Sequence, residues 1–143
     1  MHPVDPHILT QISQWPAAAQ THLLGVRSIL LDAANAADLG PLDEALKWGQ
    51  PAWRPRHART GTTLRTGWSA DRPAYLMVYV DCKTDLASQM STRFPGQYQN
   101  DARRSLAFDP ATPLPTEALS QLAYLTFTYH RRKRARQNMP QRQ

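Results

Sequence analysis

Lys47-Trp48-Gly49-Gln50-Pro51-Ala52-Trp53 gathers a cation, two indoles and two backbone-shaping residues into seven positions. A lysine beside an indole suits an anion with a planar body: the ammonium supplies charge and the ring a wall. A plainer reading competes with it. Glycine accepts positive φ, proline fixes the exit and tryptophans seal a sheet against helices, which makes a helix-to-strand corner. The corner accounts for Gly49, Pro51 and both tryptophans but not for Lys47. The corner is therefore the main role expected, and a pocket lip the second.

Other residues could join such a pocket. Arg65 alternates with Leu64 and Thr66 in a strand-like run, so it falls on the face opposite theirs. Arg104 and His130 lie in two further elements. An anion such as phosphate or carboxylate would need Lys47, Arg65, Arg104 and His130 to converge, and linear order leaves that open. Cys82, between Asp81 and Lys83 at a strand end, reads first as a small hydrophobe. A nucleophilic thiolate would need a histidine or a helix N-terminus beside it, and no motif ties His22, His57 or His130 to it. Asp32, Asp38, Asp43 and Glu44 show no helical repeat, and no HxxxH, HxH or CxxC pair occurs, so no metal ligands are expected. Without a nucleophile–base pair, metal cluster or phosphate loop, the chain reads as a binding protein rather than an enzyme.

The charge is unevenly spread. The chain carries 17 Lys and Arg against 11 Asp and Glu, but Arg131, Arg132, Lys133, Arg134, Arg136 and Arg142 fall in one acid-free stretch. Removing those six leaves as many bases as acids, so the body is formally neutral. We expect one domain over residues 1–130 and a basic tail over 131–143. The tail would attract polyanions weakly through phosphate charge alone. After Tyr129 it has no aromatic residues interleaved with its bases, which argues against sequence-specific recognition. One cysteine permits no internal disulfide, no apolar run nears the roughly 20 residues of a membrane span, and the start lacks a signal-peptide pattern. A cytoplasmic protein is the expectation.

These residues must be positioned by a modest set of elements. Asp5-Pro6 opens a helix with Ile8, Leu9, Ile12 and Trp15 on one face. Pro16 restarts the chain into a helix through about residue 35, striped by Leu23, Val26, Leu30 and Ala33 or Ala34, with Arg27 and Asp32 off the stripe. Pro41, Asp43 and Glu44 predict a short helix through Trp48 that Gly49 terminates. Residues 62–68 and 74–80 read as antiparallel strands, 84–93 as a helix and 105–108 as a strand. Thr116 to about Arg134 reads as one closing helix. The expected fold is an α+β two-layer sandwich, with helices on a mostly antiparallel sheet.

The segments EALKWGQPAW, GTTLRTGW, YLMVYVDCKTDL, ARRSLAF and LTFTYHRRKR, in that order, resemble landmarks of the YdhG-like family of small bacterial domains, whose usual signature is Lys-Trp-Gly-x-Pro-x-aromatic. The resemblance runs from about Leu23 to Lys133, and Cys82 and Thr84 match its Cys-x-Thr branch. That branch has Gly-Asn-Arg before the late strand; here Ala102-Arg103-Arg104 stands there and only Arg104 matches. The resemblance implies a frataxin-like architecture, and an iron-chaperone role has been ascribed to one branch, so iron enters only through it. It also puts the candidate residues in matched segments. The pocket it implies takes charge from Lys47, Arg65 and Arg104 and a wall from Trp48 or Trp53. His130 and Tyr129 would close it, with Cys82 and Thr84 as floor.

Overall fold

The computed structural model describes residues 3–96 and 99–138. Arg142, counted in the basic tail, lies outside the described residues. Helix α1 (Pro6–Ile12) starts as its sequence dictates: Asp5 Oδ1 accepts from the His7 backbone N–H at 2.8 Å, and Pro6 occupies the first turn. Ile8, Ile12 and Trp15 are buried, whereas Leu9 is exposed and not on the packed face. Helix α2 (Ala17–Ala36) buries Leu23, Val26 and Leu30. Arg27 is buried too, a correction to its expected place off the stripe.

The largest correction concerns residues 41–48. They form strand β1 (Leu42–Lys47), which pairs antiparallel with β2 (Gln50–Pro55). The linking Trp48 and Gly49 have φ of 53° and 74°. A two-residue turn with both φ positive matches the twist of a hairpin. The left-handed Gly49 was expected, but it closes a hairpin, not a helix. The acidic first-turn signal was misleading because Glu44 faces inward. Its carboxylate binds Arg27 and accepts from Trp53 Nε1 at 2.8 Å. A buried ion pair thus breaks the apolar alternation by which a strand is recognised.

Strands β3 (Leu64–Trp68), β4 (Leu76–Tyr79), β5 (Gln99–Asn100) and β6 (Ser105–Phe108) complete a six-stranded sheet in the order β1-β2-β3-β4-β6-β5, antiparallel throughout. Helix α3 (Leu86–Arg93) connects β4 to β5. One apolar cluster joins Trp53, Leu64, Leu76, Val78, Leu106 and Phe108 of the sheet to the inward residues of the helices. The fold is an α+β sandwich, helices packed on an antiparallel sheet. No helix among the described residues is long and apolar enough to cross a membrane.

The closing helix is broken. Helix α4 (Thr116–Phe127) and α5 (Tyr129–Gln137) meet at Thr128. The β2–β3 connection takes over hydrogen bonds that a continuous helix would make itself. The Thr62 N–H donates to the Thr126 carbonyl at 2.9 Å, and the Arg131 N–H donates to the Thr60 carbonyl at 2.9 Å. The Thr126 and Thr128 hydroxyls back-bond to Leu122 and Tyr124 carbonyls, which favours a bend. Arg132 then caps α4, donating to the Leu125 carbonyl at 2.6 Å and to Thr128 Oγ1 at 2.9 Å. Gly61 makes this approach possible: a Cβ there would lie 2.2 Å from the Phe127 carbonyl oxygen.

Candidate functional site

At one end of the sheet, the β1–β2 turn, the start of β3, the end of β4 and the start of β6 meet the first turn of α5. Between them lies a cleft of about 380 Å³. Lys47 and Trp48 come from the turn, Arg65 from β3, and Arg104 from the loop before β6. His130 faces it from α5, and Cys82 follows β4. Six of the nine candidate residues therefore share one cavity, although they come from distant parts of the chain.

Arg65 is the best-fixed cation. Its position opposite Ala52 and Tyr79 in the ladder sends its side chain to the sheet face away from Leu64. There the guanidinium lies 5.2 Å from the Trp48 ring centroid and 5.6 Å from that of Tyr79, and it donates to Gln50 Oε1 at 3.1 Å. Gln50 itself lies over Gly67, where a Cβ would stand 2.9 Å from its amide nitrogen.

Arg104 is placed by a carboxylate at the foot of its loop. Asp101 Oδ1 accepts from the backbone N–H groups of Arg103, Arg104 and Ser105 at 2.9, 2.9 and 3.0 Å, and Oδ2 accepts from the Ser105 hydroxyl at 2.9 Å. Burial opposes the charge on Asp101, but these bonds from Ser105, Arg103 and Arg104 outweigh it and hold the carboxyl well below the usual carboxylate range. Ala102, at the place where the YdhG-like pattern has glycine, adopts φ of 62°. The Arg104 carbonyl meanwhile accepts from the Val80 N–H at 2.8 Å, joining this loop to the end of β4.

Three candidates lie elsewhere. Trp53 is fully buried in the core, so Trp48 alone can be the wall. Tyr129 packs against the core beneath His130, its ring edge-to-face with the imidazole at a centroid distance of 5.4 Å. Thr84 serves the entry to α3: its hydroxyl donates to the Asp81 carbonyl at 2.6 Å and accepts from the Leu86 N–H at 3.4 Å.

Thr62, Thr63 and Asp81 line the cleft without having been expected. Thr62 is only 8% exposed, and its Oγ1 has no hydrogen-bond partner among the described residues. That oxygen is shut off from solvent, so the hydroxyl belongs to the packing of the wall and not to the cleft's open surface. The Thr62-Thr63 pair just before β3 was a visible signal, since polar residues at a strand's mouth often face a site.

Three cations against the one carboxylate of Asp81 make the cleft attractive to anions. Cys82 is a free, exposed thiol at its edge. Among the described residues no group of three or more His, Cys, Asp or Glu side chains is arranged to hold a metal ion. Of the acids an iron site might enlist, Glu44 holds Arg27, and Asp43 accepts from Arg56 Nε at 2.9 Å.

No family model, no curated protein and no solved structure matches this chain.

Proposed function

We propose that this is a binding module of YdhG-like type, acting without catalysis, that holds a small anionic ligand in the cleft between the β1–β2 turn and α5. The observation that carries the reading is the convergence of Lys47, Arg65 and Arg104, from three separate parts of the chain, on one cleft whose lining holds a single carboxylate, Asp81. A cavity of about 380 Å³ is within the size range of small-ligand pockets. Arg65 offers a planar fork for carboxylate or phosphate, and Lys47 and Arg104 add charge. An exposed free thiol suits a reducing cytoplasm, the compartment we assign.

Thermal shift against inorganic phosphate and small carboxylates tests the proposal. A ligand at about a hundred times its Kd stabilises the fold by about 2.7 kcal/mol, a shift of several degrees. The expected result is a rise in melting temperature with at least one anion that Arg65→Ala removes. A flat response across the anions would overturn it.

A further inference from the structure

Trp48 does nothing for the fold that a smaller residue would not do better. It is 90% exposed, so it buries almost no apolar surface, and it occupies a turn position with φ of 53° that favours Asn or Gly. Strain at an exposed aromatic residue beside a cleft is a functional signature rather than a folding one. Arg65, anchored by Gln50, stands against the ring and limits its motion. The result is a held indole on the rim of an anion cleft, suited to stacking a flat ring.

A second cleft, of about 390 Å³, also has His130 in its lining. Its other charged walls are Arg59, Lys133 and Arg134, with no carboxylate among the residues lining it. Arg134 is steadied by donating to the Arg59 carbonyl. His130 thus lines both cationic spaces, and the Trp48 indole lines the first.

We infer that the ligand is a nucleotide with more than one phosphate: its base stacks on Trp48, its first phosphate lies by Arg65 and Arg104, and its phosphate chain passes His130 toward Lys133. The inference rests on the first cleft being the anion site. A simple carboxylate would use neither the indole nor the second cleft.

Isothermal titration of the full chain with inorganic phosphate, ribose 5-phosphate, adenosine monophosphate and adenosine triphosphate tests it. Stacking should make the monophosphate nucleotide bind about tenfold tighter than ribose 5-phosphate. The triphosphate should bind about tenfold tighter again, through its added charge contacts. Trp48→Ala should erase the first difference, and Lys133→Ala the second, leaving monophosphate affinity unchanged. Trp48→Asn, which suits the turn, should behave like Trp48→Ala while melting no lower than the parent, which separates lost stacking from lost folding. Equal affinity for ribose 5-phosphate and the nucleotide overturns the assignment of the base. Equal affinity for mono- and triphosphate overturns the second cleft. In either case the simpler anion reading stands if phosphate binding still needs Arg65. If neither phosphate nor ribose 5-phosphate binds, that reading fails as well. A single-stranded oligonucleotide binding more than about tenfold tighter than the triphosphate would overturn the nucleotide in favour of a polymer.

Discussion

The guanidinium of Arg65 lies over two aromatic rings, 5.2 Å from the centroid of Trp48 and 5.6 Å from that of Tyr79, one from a turn and the other from the neighbouring strand. The sheet register fixes this arrangement, because Arg65 pairs directly with Tyr79. A cation held by two rings and an amide keeps its direction before any ligand arrives. Such pre-organisation reduces the entropy lost on binding. Gln50→Ala should therefore weaken anion binding several-fold while changing stability by less than about 1 kcal/mol, since the contact is partly exposed. Calorimetric titration beside a thermal melt separates the two effects.

Glu44 should be the least replaceable acid. It faces Arg27 and accepts from the indole N–H of Trp53; Trp53 is fully buried, and Arg27 and Glu44 are mostly so. Removing one member of a buried ion pair typically costs about 3–5 kcal/mol, because the other charge stays behind. Because the pair is mostly rather than fully buried, Glu44→Ala is expected to lower the free energy of unfolding toward the lower end of that range, read from urea melts. Asp43→Ala, whose Arg56 partner is exposed, should change it by less than about 1 kcal/mol.

Gly61→Ala should unsettle the junction of α4 and α5. The added methyl would lie 2.2–2.6 Å from backbone atoms of Phe127, which cannot swing aside. A loss of about 2–3 kcal/mol is expected by chemical denaturation. The same change should weaken anion binding, since His130 follows directly from that junction.

Ala102→Gly should gain stability. The left-handed conformation at φ of 62° costs an alanine roughly 1–2 kcal/mol, and glycine gives back roughly 0.5–1 kcal/mol in chain entropy. A net gain of about 0.5 kcal/mol, read as a small rise in melting temperature, is expected.

Asp101 sets an acid limit. Its carboxyl titrates below the unfolded value of about 3.9, so its contribution is present above that pH and is lost as pH falls toward the folded value. The stability gap between the parent and Asp101→Asn should be widest near neutrality. It should narrow on acidification below about pH 4, as urea melts at a series of pH values would reveal.

Local chemistry was legible where one residue type answered one backbone need. Asp5-Pro6 started a helix, Gly49 took positive φ, and 105–108 formed a strand. The misreadings came from long-range partners. Glu44 looks like a helix-start acid until Arg27, 17 residues earlier, is set against it. Thr128 looks like mid-helix until the loop at Thr60 and Thr62 arrives to take its neighbours' hydrogen bonds. Within the cleft, the cations could be named from sequence because charge is a property of type. Thr62 and Thr63 were passed over although their place at the mouth of β3 was a signal, because hydroxyl residues there are common whether or not a cleft opens beside them.

The cleft draws its walls from residues 47 to 130, and its rear is tied by bonds between the β2–β3 connection and the last two helices. No shorter stretch of the chain contains it. During synthesis it would come into being only once α5 had emerged and docked, so every partly made chain would lack the site. A ligand that recognises the cleft would then select finished molecules alone, and its abundance in the cell would influence how many of them escape proteolysis.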